Sequence, residues 1–220
     1  MIIFYFLSFF NIFYKRVIQT FKKDPSYRSF EENELLIKIL KQIPYFKNLY
    51  KTSDQSTLTK FIQKIVNFFK FETFNPEKII IHHGDLGDKF YFILSGKVNI
   101  YVLKTNGEIN ESIKNHNSMG KLQDPDEELL LKNNNRKFNY LKKGVVKFKK
   151  LKELGPGKHF GEIALYLNKP RTATVVSTMQ VDTITLKKDE VKKNENVFTK
   201  SIEFNIFLEK INKIFSLSYL

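Results

Sequence analysis

The sequence predicts an α+β, mainly β domain with helices at both ends, on three observations. All nine glycines lie between Gly84 and Gly161, which confines sharply turned backbone to one segment. Strand-like alternation brackets those turns: Val98, Ile100 and Val102 alternate with other residues, and the run Val181–Leu186 alternates again. Toward both ends the apolar residues recur instead at i, i+3 and i+4, the period of a helix packed on a core.

Met1–Tyr14 is apolar apart from Ser8 and Asn11, and Lys15, Arg16, Lys22 and Lys23 follow it. This run is shorter than the roughly 20 apolar residues a spanning helix needs. It also lacks the charged start and small-residue cleavage site of a signal peptide. Three readings stay open: a helix packed on the domain, an amphipathic anchor on a membrane surface, or the stub of a longer segment. Residues 1–28 form this apolar and basic extension, and residues 29–72 carry helices. Glu31–Leu49 reads as helical, with Leu35, Leu36, Ile39, Leu40 and Ile43 on one face, Ser29 as its start and Pro44 as a stop. Ser56–Phe69 is a second helical run, with Phe61, Ile62, Ile65, Val66 and Phe69 on one face.

Residues 73–187 hold the β unit. Ile79–Val102 reads as strand, turn, strand, turn, strand, with Gly84-Asp85, Gly87-Asp88 and Ser95-Gly96 supplying the turns. An insert follows at 105–145, rich in asparagine and with an acidic knot at Asp124–Glu128. Its composition buries little apolar surface and predicts mobility, apart from a brief helix at Glu127–Leu131. Residues 188–220 hold an apolar helical stretch that includes Phe204, Ile206, Phe207, Ile211 and Ile214.

Composition narrows the function classes. With no cysteine, the chain has neither disulfides nor thiolate chemistry, which fits a reducing compartment such as the cytoplasm. His82 and His83 are adjacent on a strand, so they face opposite sides and cannot share a metal. The net charge of +14 comes from lysines scattered along the whole chain. No arginine-rich cluster or aromatic-interleaved basic strip marks a nucleic-acid site. The field still favours the arrival of an anionic small molecule.

Only four of the 37 basic residues are arginines (Arg16, Arg28, Arg136 and Arg171). Arg171 ends the run Phe160-Gly161-Glu162-Ile163-Ala164-Leu165-Tyr166-Leu167-Asn168-Lys169-Pro170-Arg171-Thr172-Ala173-Thr174-Val175. A guanidinium binds phosphate through two parallel hydrogen bonds, which lysine cannot do. Gly161 permits close approach to a ligand, and Glu162 can accept from a sugar hydroxyl. The short apolar stretch between them suits a helix start whose free N–H groups face an anion. The combination reads as a pocket for a small phosphate.

This run resembles the phosphate-binding cassette of cyclic-nucleotide-binding domains, F-G-E-x-A-L…P-R-[TA]-A-T-V, with every position filled. The Gly84–Gly96 segment resembles the family's G-D-x-G-D-x-F-Y-x-I-x-x-G, and Ile43–Leu49 its I-P-x-F-x-x-L. The resemblance implies an eight-stranded antiparallel β-roll, jelly-roll-like, with a short helix near Glu162–Tyr166. It implies a site in which Arg171 neutralises a cyclic phosphate and Glu162 holds the ribose 2′-hydroxyl. Backbone at Gly161, Ile163, Ala164, Thr172 and Ala173 lines that site, and Phe204 and Phe207 are lid candidates over the base. The implied ligand is cAMP or cGMP, with no cofactor and no metal. The implied role is a ligand-dependent switch without catalysis, acting on a kinase, channel or cytoskeletal effector. The rival reading is a scaffold that keeps the roll but has lost its ligand. No kinase motif is present, and 34 residues beyond the last strand leave little room for a DNA-reading module.

Overall fold

The computed structural model describes residues 2–52, 55–109, 141–142, 145–146, 148–162 and 170–193. Helices α1 (Ile2–Lys22), α2 (Phe30–Gln42), α3 (Pro44–Thr52) and α4 (Gln55–Ile65) lead into the strands. These are β1 (Phe69–Phe74), β2 (Ile79–Ile81), β3 (Lys89–Ser95), β4 (Val98–Leu103), β5 (Leu141–Lys142), β6 (Val145–Val146), β7 (Phe148–Leu154), β8 (His159–Phe160), β9 (Thr174–Ser177) and β10 (Val181–Lys187), and α5 (Lys188–Lys193) follows them. Two four-stranded antiparallel sheets, ordered β1-β10-β3-β8 and β2-β9-β4-β7, make the roll, and β5 pairs with β6 beside it. The expected eight-stranded roll with flanking helices is the architecture found.

Local chemistry explains the helix boundaries. Ser29 starts α2 through a capping box: its side chain accepts from the Glu32 N–H, while the Glu32 carboxylate accepts from the Ser29 N–H. Glu31–Leu49 is not one helix. Pro44 ends α2 at Ile43 and also opens α3, since the first helical position needs no N–H donor. The second predicted helix ends at Ile65 and tightens into a 3-10 turn, Val66–Phe68.

The central strands of the β1-β10-β3-β8 sheet, β10 and β3, are buried on both faces, which is why β3 reads as an almost unbroken apolar run. Phe90 and Phe92 face the helices, where they meet Tyr45 and Phe46, while Tyr91 and Ile93 face the roll interior. Phe46 stacks on Phe92 with centroids 5.3 Å apart, and Tyr91 lies nearly parallel to Phe160 at 4.8 Å inside the roll.

The N-terminal extension is a helix, and its described second half packs on the domain through Val17 and Phe21. Among the described residues no helix is long and apolar enough to cross a membrane. Two buried polar clusters fix this helix. Arg28, 8 % exposed, donates to the carbonyls of Lys23, Phe21 and Val66, which joins the end of α1 to the end of α4. Asp182 accepts from the hydroxyls of Tyr14 (3.1 Å), Thr73 (2.9 Å) and Ser95 (3.1 Å) and so ties α1, β1 and β3 to β10. Burial, helped by the Asp182 charge, pushes the Tyr14 hydroxyl up to about 12.

The described ends of the insert carry secondary structure. Thr105 and Glu108 form a reciprocal cap that starts a helical turn, which buries Ile109. Residues 141–142 and 145–146 contribute the β5–β6 pair. Residues 110–140, including the predicted helix at 127–131, lie outside the described residues.

His159 gives the fold a pH dependence. It faces the helices from β8, with its ring 4.8 Å from Tyr45 and 5.5 Å from Phe90. Burial, reinforced by Lys152 and Lys158, pushes the imidazole down to about 4. The unfolded chain, with a histidine pKa near ~6.5, binds this proton more readily. The stability from neutral His159 is therefore complete above about pH 6.5 and is lost as pH falls toward the folded value. Urea midpoints should drop across that window, and His159→Phe should flatten the drop; parallel curves for the two proteins would assign the slope elsewhere.

Candidate anion site

The candidate site sits where β8, the Gly84–Asp88 turns and the residues leading into β9 converge. Backbone pairing places Arg171: its N–H donates to the Asp85 carbonyl at 2.7 Å, and its carbonyl accepts from Gly84 at 2.8 Å. Pro170 bridges to Leu86 beside it. The side chain turns inward and is 8 % exposed. Nη1 donates to the Gly161 carbonyl and Nη2 to the Lys89 carbonyl, both at 2.8 Å. Each arm of the fork is thus oriented by a backbone carbonyl, and each keeps a second N–H. Asp88 stands 3.8 Å from Nη2 but is 67 % exposed at its side chain, so water screens much of its charge.

Gly161 is required by geometry. Its φ is +80°, and a Cβ there would lie 2.8 Å from Arg171 Nη1 and 3.1 Å from the Lys89 carbonyl oxygen. The glycine lets the backbone touch the guanidinium directly. Burial pulls the Arg171 guanidinium down, while Tyr91, Asp88, Glu162 and Asp85 pull it up. Burial likewise lifts the Glu162 carboxyl above the usual range, opposed by a backbone hydrogen bond, Lys152 and Arg171. A buried cation and a nearby carboxyl at a glycine turn can receive a ligand that offers both an anion and a hydroxyl.

Of the residues singled out from sequence, Gly161, Glu162 and Arg171 come together here. Ala173 packs on the interior apolar cluster, and Thr172, between it and Arg171, is exposed. Ile163, Ala164, the predicted helix at 162–166 beyond Glu162, and the lid candidates Phe204 and Phe207 lie outside the described residues. Sequence reasoning missed Asp85, Asp88 and Lys89 as partners of Arg171. The signal was present in Gly84-Asp85-Leu86-Gly87-Asp88-Lys89, which by itself reads only as turn chemistry. Among the described residues no group of three or more histidines and carboxylates could hold a metal ion.

The chain has the fold of a cyclic nucleotide-binding domain. Residues 71–123 match the family model described as Cyclic nucleotide-binding domain, a span from β1 into the insert. A crystal structure of a cyclic nucleotide-binding domain from Methylobacillus flagellatus superposes with a TM-score of 0.53 at 16% identity, covering 86% of this chain and 79% of that one. The regulatory domain of Toxoplasma gondii PKA, crystallised with cAMP, gives a TM-score of 0.50 at 16% identity, covering 82% of this chain and 50% of that one. In sequence the chain is 26% identical over 209 residues to the cAMP-dependent protein kinase regulatory subunit of Candida albicans. That alignment covers 93% of this chain but only 34% of the relative, so the chain spans about a third of the relative's length.

Proposed function

We propose that the chain is a cyclic-nucleotide-binding regulatory module, non-catalytic, of the kind found in regulatory subunits of cAMP-dependent protein kinase. The observation that carries this reading is the buried Arg171 fork, aimed into the roll between the Gly161 and Lys89 carbonyls with Glu162 beside it. The sequence similarity to the Candida albicans subunit supports it. Arg171 receives the cyclic phosphate through its remaining N–H groups, and Glu162 accepts from the ribose 2′-hydroxyl. Backbone at Gly161, Ile163, Ala164, Thr172 and Ala173 lines the phosphate, and Phe204 or Phe207 closes over the base. A ligand that binds the closed arrangement more tightly than the open one shifts the population between them, and an effector reads the difference. The effector class this reading favours is a protein kinase, with the module acting as its switch.

The test is titration of the full chain with fluorescent cAMP and cGMP, checked by the melting shift each produces. Saturable binding of at least one supports the reading, and a folded chain that binds neither overturns it. Thr172 is the candidate base reader. Its hydroxyl can accept from the guanine 2-amino group of a syn base, which adenine lacks. One such bond contributes about 0.5–1.5 kcal/mol, roughly a threefold to tenfold effect. Thr172→Ala is expected to weaken cGMP selectively and leave cAMP nearly unchanged. Equal losses for the two nucleotides would remove Thr172 as the reader.

A further inference from the structure

Beside Arg171 the roll interior carries a second cation, Lys89, whose main chain holds the fork but whose side chain has no part in the binding scheme above. Lys89 opens β3, and alternation along that strand turns its side chain to the interior with Tyr91 and Ile93. Its Nζ reaches across β10 to Glu72 on β1 and meets Glu72 Oε1 at 2.6 Å. Thr185, on the intervening strand, donates to the same oxygen at 3.1 Å. The pair is mostly shielded, with side chains 21% and 27% exposed. The main chain of the same lysine holds Arg171 through its carbonyl. Tyr91, two residues along β3, feels both groups: after burial, Glu72 pushes its hydroxyl up and Arg171 pulls it down. The ion pair and the guanidinium therefore occupy one end of the roll interior.

We propose that Lys89 and Glu72 set the affinity of the phosphate site, Lys89 as a second positive charge and Glu72 as the negative charge that cancels its field. The proposal rests on the reading that Arg171 receives a cyclic phosphate. Partly buried charges are screened less than exposed ones, so a net charge here is felt by an anion bound at Arg171. Paired, the two make a short dipole whose field falls off steeply; unpaired, either acts at full strength. Asp88, Glu162 and Asp85 are the other carboxylates that act on the guanidinium; the exposure of Asp88 leaves its charge to solvent, and Glu162 is assigned to the ribose. Glu72 thus holds the site below the affinity its cations could reach, as suits a switch that must release its ligand.

The proposal fixes the signs of four measurements, whereas a purely structural brace would weaken binding whichever partner is removed. The full chain, Glu72→Gln, Lys89→Met and the double variant are titrated with fluorescent cAMP and cGMP at low and high salt. Glu72→Gln keeps shape and hydrogen bonding while removing the negative charge, and is expected to bind about five-fold more tightly. Lys89→Met is expected to bind about five-fold more weakly, and the double variant to return to within about two-fold of the parent. Both shifts should shrink as salt rises. Should Glu72→Gln fail to fold, loss in Lys89→Met and recovery in the double variant test the same charge balance. Shifts of the same direction in both single variants, or no shift in either, overturn the proposal while the ligand assignment stands. A parent chain that binds neither nucleotide overturns both.

Discussion

Arg171→Lys will weaken cyclic-nucleotide binding by about 1.5–3 kcal/mol, the scale of a hydrogen bond to a charged group. The charge is kept, so the loss comes from geometry. In the parent chain the fork satisfies two carbonyls, on Gly161 and Lys89, and still presents N–H groups to the ligand. A lysine ammonium is a compact point charge that cannot span both carbonyls and face a phosphate in the same plane. Titration of the folded variant measures the loss, and the melting temperature without nucleotide separates it from damage to the fold. Unchanged affinity would mean that the phosphate is held elsewhere.

Gly96→Ala is expected to be the most damaging substitution to stability, costing about 3 kcal/mol or more from backbone strain and steric overlap together. Gly96 sits in the turn between β3 and β4 with φ +81°, a conformation L side chains rarely adopt. An added Cβ would lie 2.2 Å from the Gln180 carbonyl oxygen and 2.9 Å from the Val181 Cα, both backbone atoms at the start of β10. Backbone on both sides is fixed by the β3–β10 ladder, so neither can step aside cheaply. Urea denaturation of the variant checks the cost; a midpoint within error of the parent would show that the turn has slack.

The roll was legible in the sequence because its signals are local. Val98 and Ile100 point inward as their alternation requires, and Gly84, Gly96 and Gly161 all adopt positive φ at the turns. Gly161, Glu162 and Arg171 were legible as neighbours because a scarce arginine stood at a fixed distance from a glycine and a carboxylate. What was not legible depends on partners far apart in the chain. Nothing near Arg28 in sequence says that its fork holds three carbonyls at two helix ends, so it passes as one more charge of a basic extension. Asp182 looks like the polar half of an alternating strand, yet three hydroxyls from α1, β1 and β3 meet on it. The start of the insert shows the same limit: composition averages over a segment, whereas Thr105 and Glu108 form a helix start through a few specific bonds.

The contacts that hold Arg171 have a consequence for when the site comes into being. Its Nη2 bonds to a residue 82 positions earlier in the chain, and its main chain pairs with Gly84 and Asp85, equally remote. Contacts of such long sequence separation form only after the entropy of closing the intervening loop has been met. A chain still leaving the ribosome has β2, the early turns and Lys89 well before Arg171 has been made. No version of the pocket that includes the guanidinium exists until Arg171 has been made. Under the proposed function, nucleotide would stabilise the roll once its two sheets have closed rather than hasten their assembly.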